Sequence, residues 1–472
     1  MKCRAIILSA IVLSGCVHYQ PQPLNAGRRA EDFESRRLDD DKLRGFMETN
    51  LGHTITNWPV QRWNLETLTL AAYYFHPSLD VARAQWRVAE AAAISAGARP
   101  NPMISFSPGF TANAADATPW MLAGGFDWPI ETAGKRKLRV VQARQLTSVA
   151  RFNLISTAWQ VRTSVRDNLA AYRFAGNQSG VIGQKVALQK QIVAKLEARL
   201  KAGAIASAEV SPARIALGRL EAELGVAREN ENVASAQLAE AIGVSLRTLT
   251  NVPKEMTLYT PQLSNEQLTE AKNRALLTRA DLLAALAEYD ASETLLKLEI
   301  AKQYPDIHFN PNYQYDQGAN KWALGVSLEL PLLNRNQGLI AEAKVKRDET
   351  AARFTALQAK VISDIDAAAE NFQQVRHRHF DLIPTVNAEL QHEHAIESQL
   401  RAGAADALDL LNVKLERLTG VALFDESGYR SEVAFGKLED AMQQLLEVKP
   451  IVIAPPPPIN LEINPRGEKT KP

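Results

Sequence analysis

Two hydrophobic rhythms alternate along this chain. One has the three- and four-residue steps of helices that pack along one stripe. The other has the two-residue step of strands with one apolar face. The helical rhythm runs over Leu65 to Ala98, Lys135 to Leu200, Ser207 to Ile242, Glu266 to Gln303, Gly338 to Leu400 and Asp406 to Leu446. Leu196, Leu200, Leu217, Leu220 and Leu224 show its spacing. Asn64 and Asn265 stand where N-caps belong, ahead of the first and fourth stretches. The two longest stretches, if straight, reach about 100 Å and about 95 Å at about 1.5 Å per residue. Gly176, Gly180, Pro212 and Pro384 interrupt the helical pattern, and local bends rather than breaks are expected there.

The two-residue rhythm occurs four times. Ile104, Phe106 and Phe110 alternate with Ser105, Ser107 and Gly109; Trp120, Leu122, Phe126 and Trp128 alternate with Met121, Ala123, Gly125 and Asp127. Ile307, Phe309, Tyr313 and Tyr315 alternate with His308, Asn310, Asn312 and Gln314, and Trp322, Leu324, Val326, Leu328 and Leu330 with Ala323, Gly325, Ser327 and Glu329. Each strand is about ten residues, the length of a tilted transmembrane strand. Trp and Tyr near the strand ends suit the interfacial girdles of membrane barrels. Four strands do not close a barrel, and an open edge in hydrocarbon leaves backbone groups unpaired. Further copies of the chain are therefore expected to supply strands.

An internal repeat organises these elements. Residues 101–110 (NPMISFSPGF) match 304–313 (YPDIHFNPNY), Trp120 and Pro129 match Trp322 and Pro331, and Leu200-Lys201-Ala202-Gly203-Ala204 matches Leu400-Arg401-Ala402-Gly403-Ala404. The anchors keep their order about 200 residues apart. The chain divides into a lead-in (17–59), a first unit (60–250), a second unit (265–446) and a Pro-rich tail (447–472) expected to be disordered. Each unit reads helix, β-hairpin (about 102–130 or 305–331), long helix (135–200 or 338–400), return helix. The fold class is mainly α with a small transmembrane β part.

The first 16 residues read as an export signal. Lys2 and Arg4 precede a short apolar run, Ala5 to Leu13, which ends in Leu13-Ser14-Gly15-Cys16. That ending resembles a lipobox, with Cys16 acylated and Val17 second in the mature chain. Cys3 lies in the segment to be removed, so no disulfide partner remains. Acyl chains on Cys16 are expected to anchor the N-terminus to a membrane.

Charge and chemistry narrow the function further. Lys and Arg number 54 against 53 Asp and Glu, a balance that gives no footprint for nucleic acid. There is no P-loop, dinucleotide fingerprint or nucleophile elbow, so no enzyme activity and no cofactor are expected. His377 and His379, like His392 and His394, are two residues apart, about 200° around a helix. No metal site is expected from them.

The repeated elements resemble the TolC-type outer-membrane efflux channel family over residues 60–446. His76-Pro77-Ser78-Leu79 with Pro100-Asn101-Pro102, the segment Leu330-Pro331-Leu332-Leu333-Asn334-Arg335-Asn336-Gln337-Gly338, and the paired turns at Gly203 and Gly403 carry the resemblance. The segment from Pro331 to Gly338 is most similar to the heavy-metal CzcC-type branch; the first copy departs from it with Pro129 to Arg136. The resemblance implies a lipid-anchored homotrimer in the outer membrane. Its strands form one shared 12-stranded β-barrel, joined to a trimeric α-barrel in the periplasm. It implies a passive duct docked to a periplasmic adaptor and an inner-membrane RND-type pump. The expected cargo is heavy-metal cations; drugs, other organic compounds, or secreted peptides and proteins are alternatives. Gly203, Glu209, Gly403, Asp406 and Asp409 are the implied aperture and adaptor-contact residues. A ring of acids in a pore favours cations. Acids at these positions also cap helix starts, so both roles stay open. The family's hydroxyl beside the turn is matched by Ser207 in the first copy and replaced by Ala407 in the second.

Overall fold

The computed structural model describes residues 18–110, 112, 119–250, 263–316 and 318–446. The export segment with Cys16, and the tail from 447, lie outside them. In order the elements are α1 (Ala26–Glu34), α2 (Asp41–Leu51), α3 (Leu65–Phe75), α4 (Pro77–Ala96), β1 (Met103–Phe110), β2 (Trp120–Ile130), α5 (Lys135–Lys201), α6 (Ser207–Ile242) and α7 (Leu246–Thr250). Then follow α8 (Asn265–Thr278), α9 (Ala280–Ala301), β3 (Ile307–Asp316), β4 (Ala319–Leu328), α10 (Gln337–Asp381), α11 (Ile383–Arg401) and α12 (Ala407–Met442). Among the described residues no helix is long and apolar enough to cross a membrane.

Local chemistry sets the helix ends and corrects several expectations. The helix expected from Leu65 to Ala98 breaks at His76. Pro77 has no N–H and disfavours helical geometry in the residue before it, so His76 is extended and caps α4 through Nδ1, which accepts from Ser78 N–H. Its counterpart breaks at Arg279 without a proline. There the guanidinium pairs with Asp281 and donates to the carbonyl of Ala441, holding the extended backbone. Asn64 caps α3 as expected, its Oδ1 accepting from Thr67 N–H at 2.9 Å. Ser264, not Asn265, caps α8. Gly176 and Gly180 pass inside α5, a continuous helix of 67 residues. The second long helix is divided at Leu382, whose backbone stays near helical, because Pro384 offers no N–H to the preceding turn. A bend was expected there; the helix is interrupted.

α5 is the hub: it packs along α3, α4, α6, α9 and α12, while α10 packs on α9 and α12 and α11 on α12. The result is a wall of helices with α4 and α10 along one half and α6 and α11 along the other. Two cores sit near its middle. The first joins Leu43, Met47 and Trp63 of the lead-in to Leu68, Leu70, Val165, Leu169, Leu238 and Ile242. Arg36 ties the lead-in down by donating to the carbonyls of Phe75 and Gly243 at 2.8 and 2.6 Å. The second joins Leu268, Leu282, Val361, Ile365, Phe372, Leu438 and Met442.

Between the repeats, α5 and α12 share a buried ionic seam. Arg162 reaches Glu439 at 3.1 Å and Arg166 reaches Asp440 at 2.8 Å, with Trp159 Nε1–H and the Thr163 hydroxyl also donating to Asp440. Arg173 pairs with Glu432 further along. Three glycines of α12 make room for polar side chains. A methyl on Gly420 would overlap the Glu389 carboxylate, one on Gly436 would overlap the Arg166 guanidinium, and one on Gly428 would meet His379 at 3.3 Å. His379, expected to be solvated, instead rests against Phe424 with ring centroids 4.4 Å apart. Burial lowers its pKa.

Candidate functional site

The site has two ends, and the sheet forms the first. The strands run β1-β2-β3-β4, all neighbours antiparallel, with β1 and β4 as free edges. Register carries one parity across the sheet. Phe106 faces Gly124, Gly124 faces Tyr313 and Tyr313 faces Trp322; Trp128 faces Phe309 and Phe309 faces Val326. The apolar positions named from the two-residue rhythm therefore share one face, apart from Leu330, which lies beyond the end of β4. That face is bare: Ile104 and Trp322 are 80% exposed and Leu324 79%. The other face carries Ser105, Ser107, Asp127, His308, Asn310, Asn312, Gln314 and Lys321. Among the described residues no helix packs on either face.

A polar lock joins the sheet to the helices. Lys135, buried at the start of α5, donates to Asp306 at 2.8 Å and to the carbonyl of Tyr304 at 2.6 Å. Thr132 N–H and Oγ1–H donate to Asp306 and to the carbonyl of Pro305 at 2.9 and 2.6 Å. Arg139 pairs with Glu131, and Asn336 at the start of α10 donates to Glu299. Both hairpin roots are thus fixed by hydrogen bonds rather than by a core.

The tips of the long helices form the second end. Gly203 and Gly403 take φ of 73° and 75°, the left-handed geometry that ends a helix. Their hydrogen bonds repeat: Gly203 N–H to Leu200 O at 2.9 Å and Ala204 N–H to Arg199 O at 2.9 Å, then Gly403 N–H to Leu400 O at 3.0 Å and Ala404 N–H to Gln399 O at 2.8 Å. Glu209 accepts from Ala206 N–H at 3.0 Å and Asp409 from Asp406 N–H at 2.9 Å, so both reach back over their helix starts. Asp406 instead pairs with Arg199 at the end of α5 and ties the two tips together. That hydrogen bond lowers the pKa of Asp406. Arg199 had no signal in the sequence beyond being basic in a last turn. Among the described residues no three His, Cys, Asp or Glu side chains converge on a metal position.

Comparisons with known proteins agree with this geometry. Residues 73–244 match the family described as outer membrane efflux protein. The cobalt-zinc-cadmium resistance protein CzcC of Cupriavidus metallidurans is 25% identical over 301 residues, 61% of this chain and 68% of that protein. The crystal structure of CusC, solved in connection with folding and transmembrane channel formation, has a TM-score of 0.65 at 15% identity, covering 83% of this chain and 95% of that one. The outer membrane protein VceC of Vibrio cholerae has a TM-score of 0.65 at 21% identity, covering 80% and 95%.

Proposed function

We propose that this chain, whose residues 73–244 match the outer membrane efflux protein family, is the outer-membrane exit duct of a tripartite efflux system. Three copies, four strands each, close one 12-stranded barrel above a helical tunnel. One observation carries this: a four-stranded sheet with an apolar face left bare and both edges unpaired. Each unpaired backbone group in hydrocarbon costs several kcal/mol. Joining β4 of one copy to β1 of the next removes that cost and turns the polar face toward a lumen. The rims of the helical wall support the same assembly, since Val81 and Val88 on α4 and Leu339 and Val345 on α10 are exposed.

In this reading acyl chains on Cys16 hold the N-terminus to the outer membrane. The turns at Gly203 and Gly403 meet the periplasmic adaptor, and the Arg199–Asp406 pair braces the closed aperture. Glu209 and Asp409 stabilise the helix starts that carry it. An inner-membrane RND-type pump supplies the energy. Heavy-metal cations are the cargo, a reading supported by the CzcC relative and by the Leu330 to Gly338 segment.

Light scattering of the detergent-solubilised protein tests the assembly: a protein mass three times that of the processed chain is expected. A stable monomer would end the duct reading. In a deletion strain, sensitivity to zinc, cobalt or cadmium salts is expected; sensitivity to drugs alone would reassign the cargo. Cys16→Ser is expected to leave unprocessed precursor without fatty-acid label, and normal labelling of it would remove the anchor.

A further inference from the structure

A group of side chains on the polar face, at the seam of β2 and β3, is explained neither by the lipid face nor by the tips. His308 Nδ1 lies 3.0 and 3.1 Å from the two carboxylate oxygens of Asp127. Pro129 pairs with His308 and Gly125 with Asn312, which sets Asp127 across from Asn310. Asn310 donates Nδ2–H to Ser327 Oγ at 2.8 Å. Its Oδ1 is shielded from solvent and has no hydrogen-bond partner. A carboxylate that holds Nδ1–H of an imidazole fixes the tautomer with a free Nε2 lone pair. The same arrangement orients histidine ligands at metal centres. The ring remains accessible, with 41% of the His308 side chain exposed.

We propose that Nε2 of His308 is a weak binding site for a borderline divalent cation such as Zn2+, Co2+ or Ni2+. Asp127 orients the ring, and Asn310 Oδ1 adds negative potential beside it. This rests on the duct reading, which puts the polar face around the lumen. Imidazole nitrogen selects such ions over Mg2+ and Ca2+, which prefer all-oxygen shells. One protein ligand per subunit, with water filling the shell, holds an ion loosely. A conduit requires that, because an ion must leave as readily as it enters. A strand-stitching role does not account for the pair. The repeat counterparts of His308 and Asp127 are Ser105 and Glu329, so the equivalent seam between β4 and the next copy's β1 has no imidazole.

Zn2+ titration of tag-free, full-length protein tests this, by single-channel current in KCl and by calorimetry in detergent. Wild type is expected to bind Zn2+ saturably and to lose current with the same dependence. His308→Gln is expected to lose both effects while still assembling as the trimer. Asp127→Asn is expected to weaken binding about 10-fold, the size of a lost orienting partner. Equal Zn2+ binding by wild type and His308→Gln would overturn the site. Binding that depends on His308 in a protein that never conducts would leave the site standing and the duct reading fallen.

Discussion

The helical body and the sheet bury apolar surface in opposite directions. Around α5 the apolar side chains turn inward, and even the charges beneath them are paired, as Arg162 and Arg166 are with Glu439 and Asp440. In the sheet Ile104, Trp322 and Leu324 turn outward, and none of the described residues covers them. Under the proposed function, the difference teaches that the two regions answer to different solvents. A water-facing body needs a dry interior, whereas a lipid-facing ribbon needs its polar groups on the inside and its edges paired.

The comparison breaks most readily at the ionic seam. Arg166→Ala leaves the half-buried Asp440 without its cation and the buried Glu439 with Arg162 alone, and a loss of about 3 kcal/mol is expected in thermal or denaturant unfolding. A loss under about 1 kcal/mol would mean that water reaches the seam. Next comes the sheet. Leu324→Arg puts a cation on the lipid face at a cost of about 2–4 kcal/mol near the midplane, so less trimer in outer-membrane fractions is expected. Asn312→Arg on the other face is expected to keep the trimer and shift ion selectivity toward anions. Equal loss from both would refute the assignment of faces.

Two glycines sharpen the contrast between packed and open ends. Both are left-handed, which costs a side chain about 1–2 kcal/mol. A methyl on Gly243 would also meet Phe75 O and His76 Cα at 2.9 Å, whereas one on Gly203 would meet nothing. Gly243→Ala is therefore expected to lower the melting temperature more than Gly203→Ala. A smaller effect is expected with pH. Burial raises Glu432 to about 7, against the pull of Arg173. The folded state then holds this proton more tightly than the unfolded state. Stability from this group falls as pH rises from the ordinary carboxylate range to about 7. Melting curves at pH 5 and pH 8 are expected to differ less in Glu432→Gln than in wild type. The smallest effect on stability is at the tip. Arg199→Ala breaks an exposed pair and is expected to change stability by less than about 1 kcal/mol. It is expected to raise single-channel conductance as much as Asp406→Ala does. Unchanged conductance in both would remove the brace from the aperture.

Much of the architecture was legible because it is local. The two-residue alternation marked all four strands, and the glycine turns marked both tips. Ser207 to Ile242 was read with both ends correct because a turn precedes it and Gly243 stops it. What escaped the sequence depended on distance. Arg166 and Asp440 lie 274 residues apart, and Arg199 and Asp406 lie 207 apart, so no spacing rule links them. The break at Arg279 was hidden for the same reason, since its guanidinium is held by Ala441. The break at Pro77 was legible in principle, because an X-Pro step inside a helical pattern disfavours continuation. His379 was misjudged because a helix wheel ignores the neighbour that supplies Phe424.

The glycines at 420, 428 and 436 make α12 behave as a keyed shaft. Eight residues advance a helix by about 12 Å and turn it by about 80°, so successive keyways open toward different neighbours: Glu389 on α11, His379 on α10 and Arg166 on α5. Axial slip by one turn, or rotation in place, drives at least one of these side chains into a methyl or something larger. The hairpin accordingly has a single seating, and a rearrangement that preserves it swings α12 together with the helices locked into it.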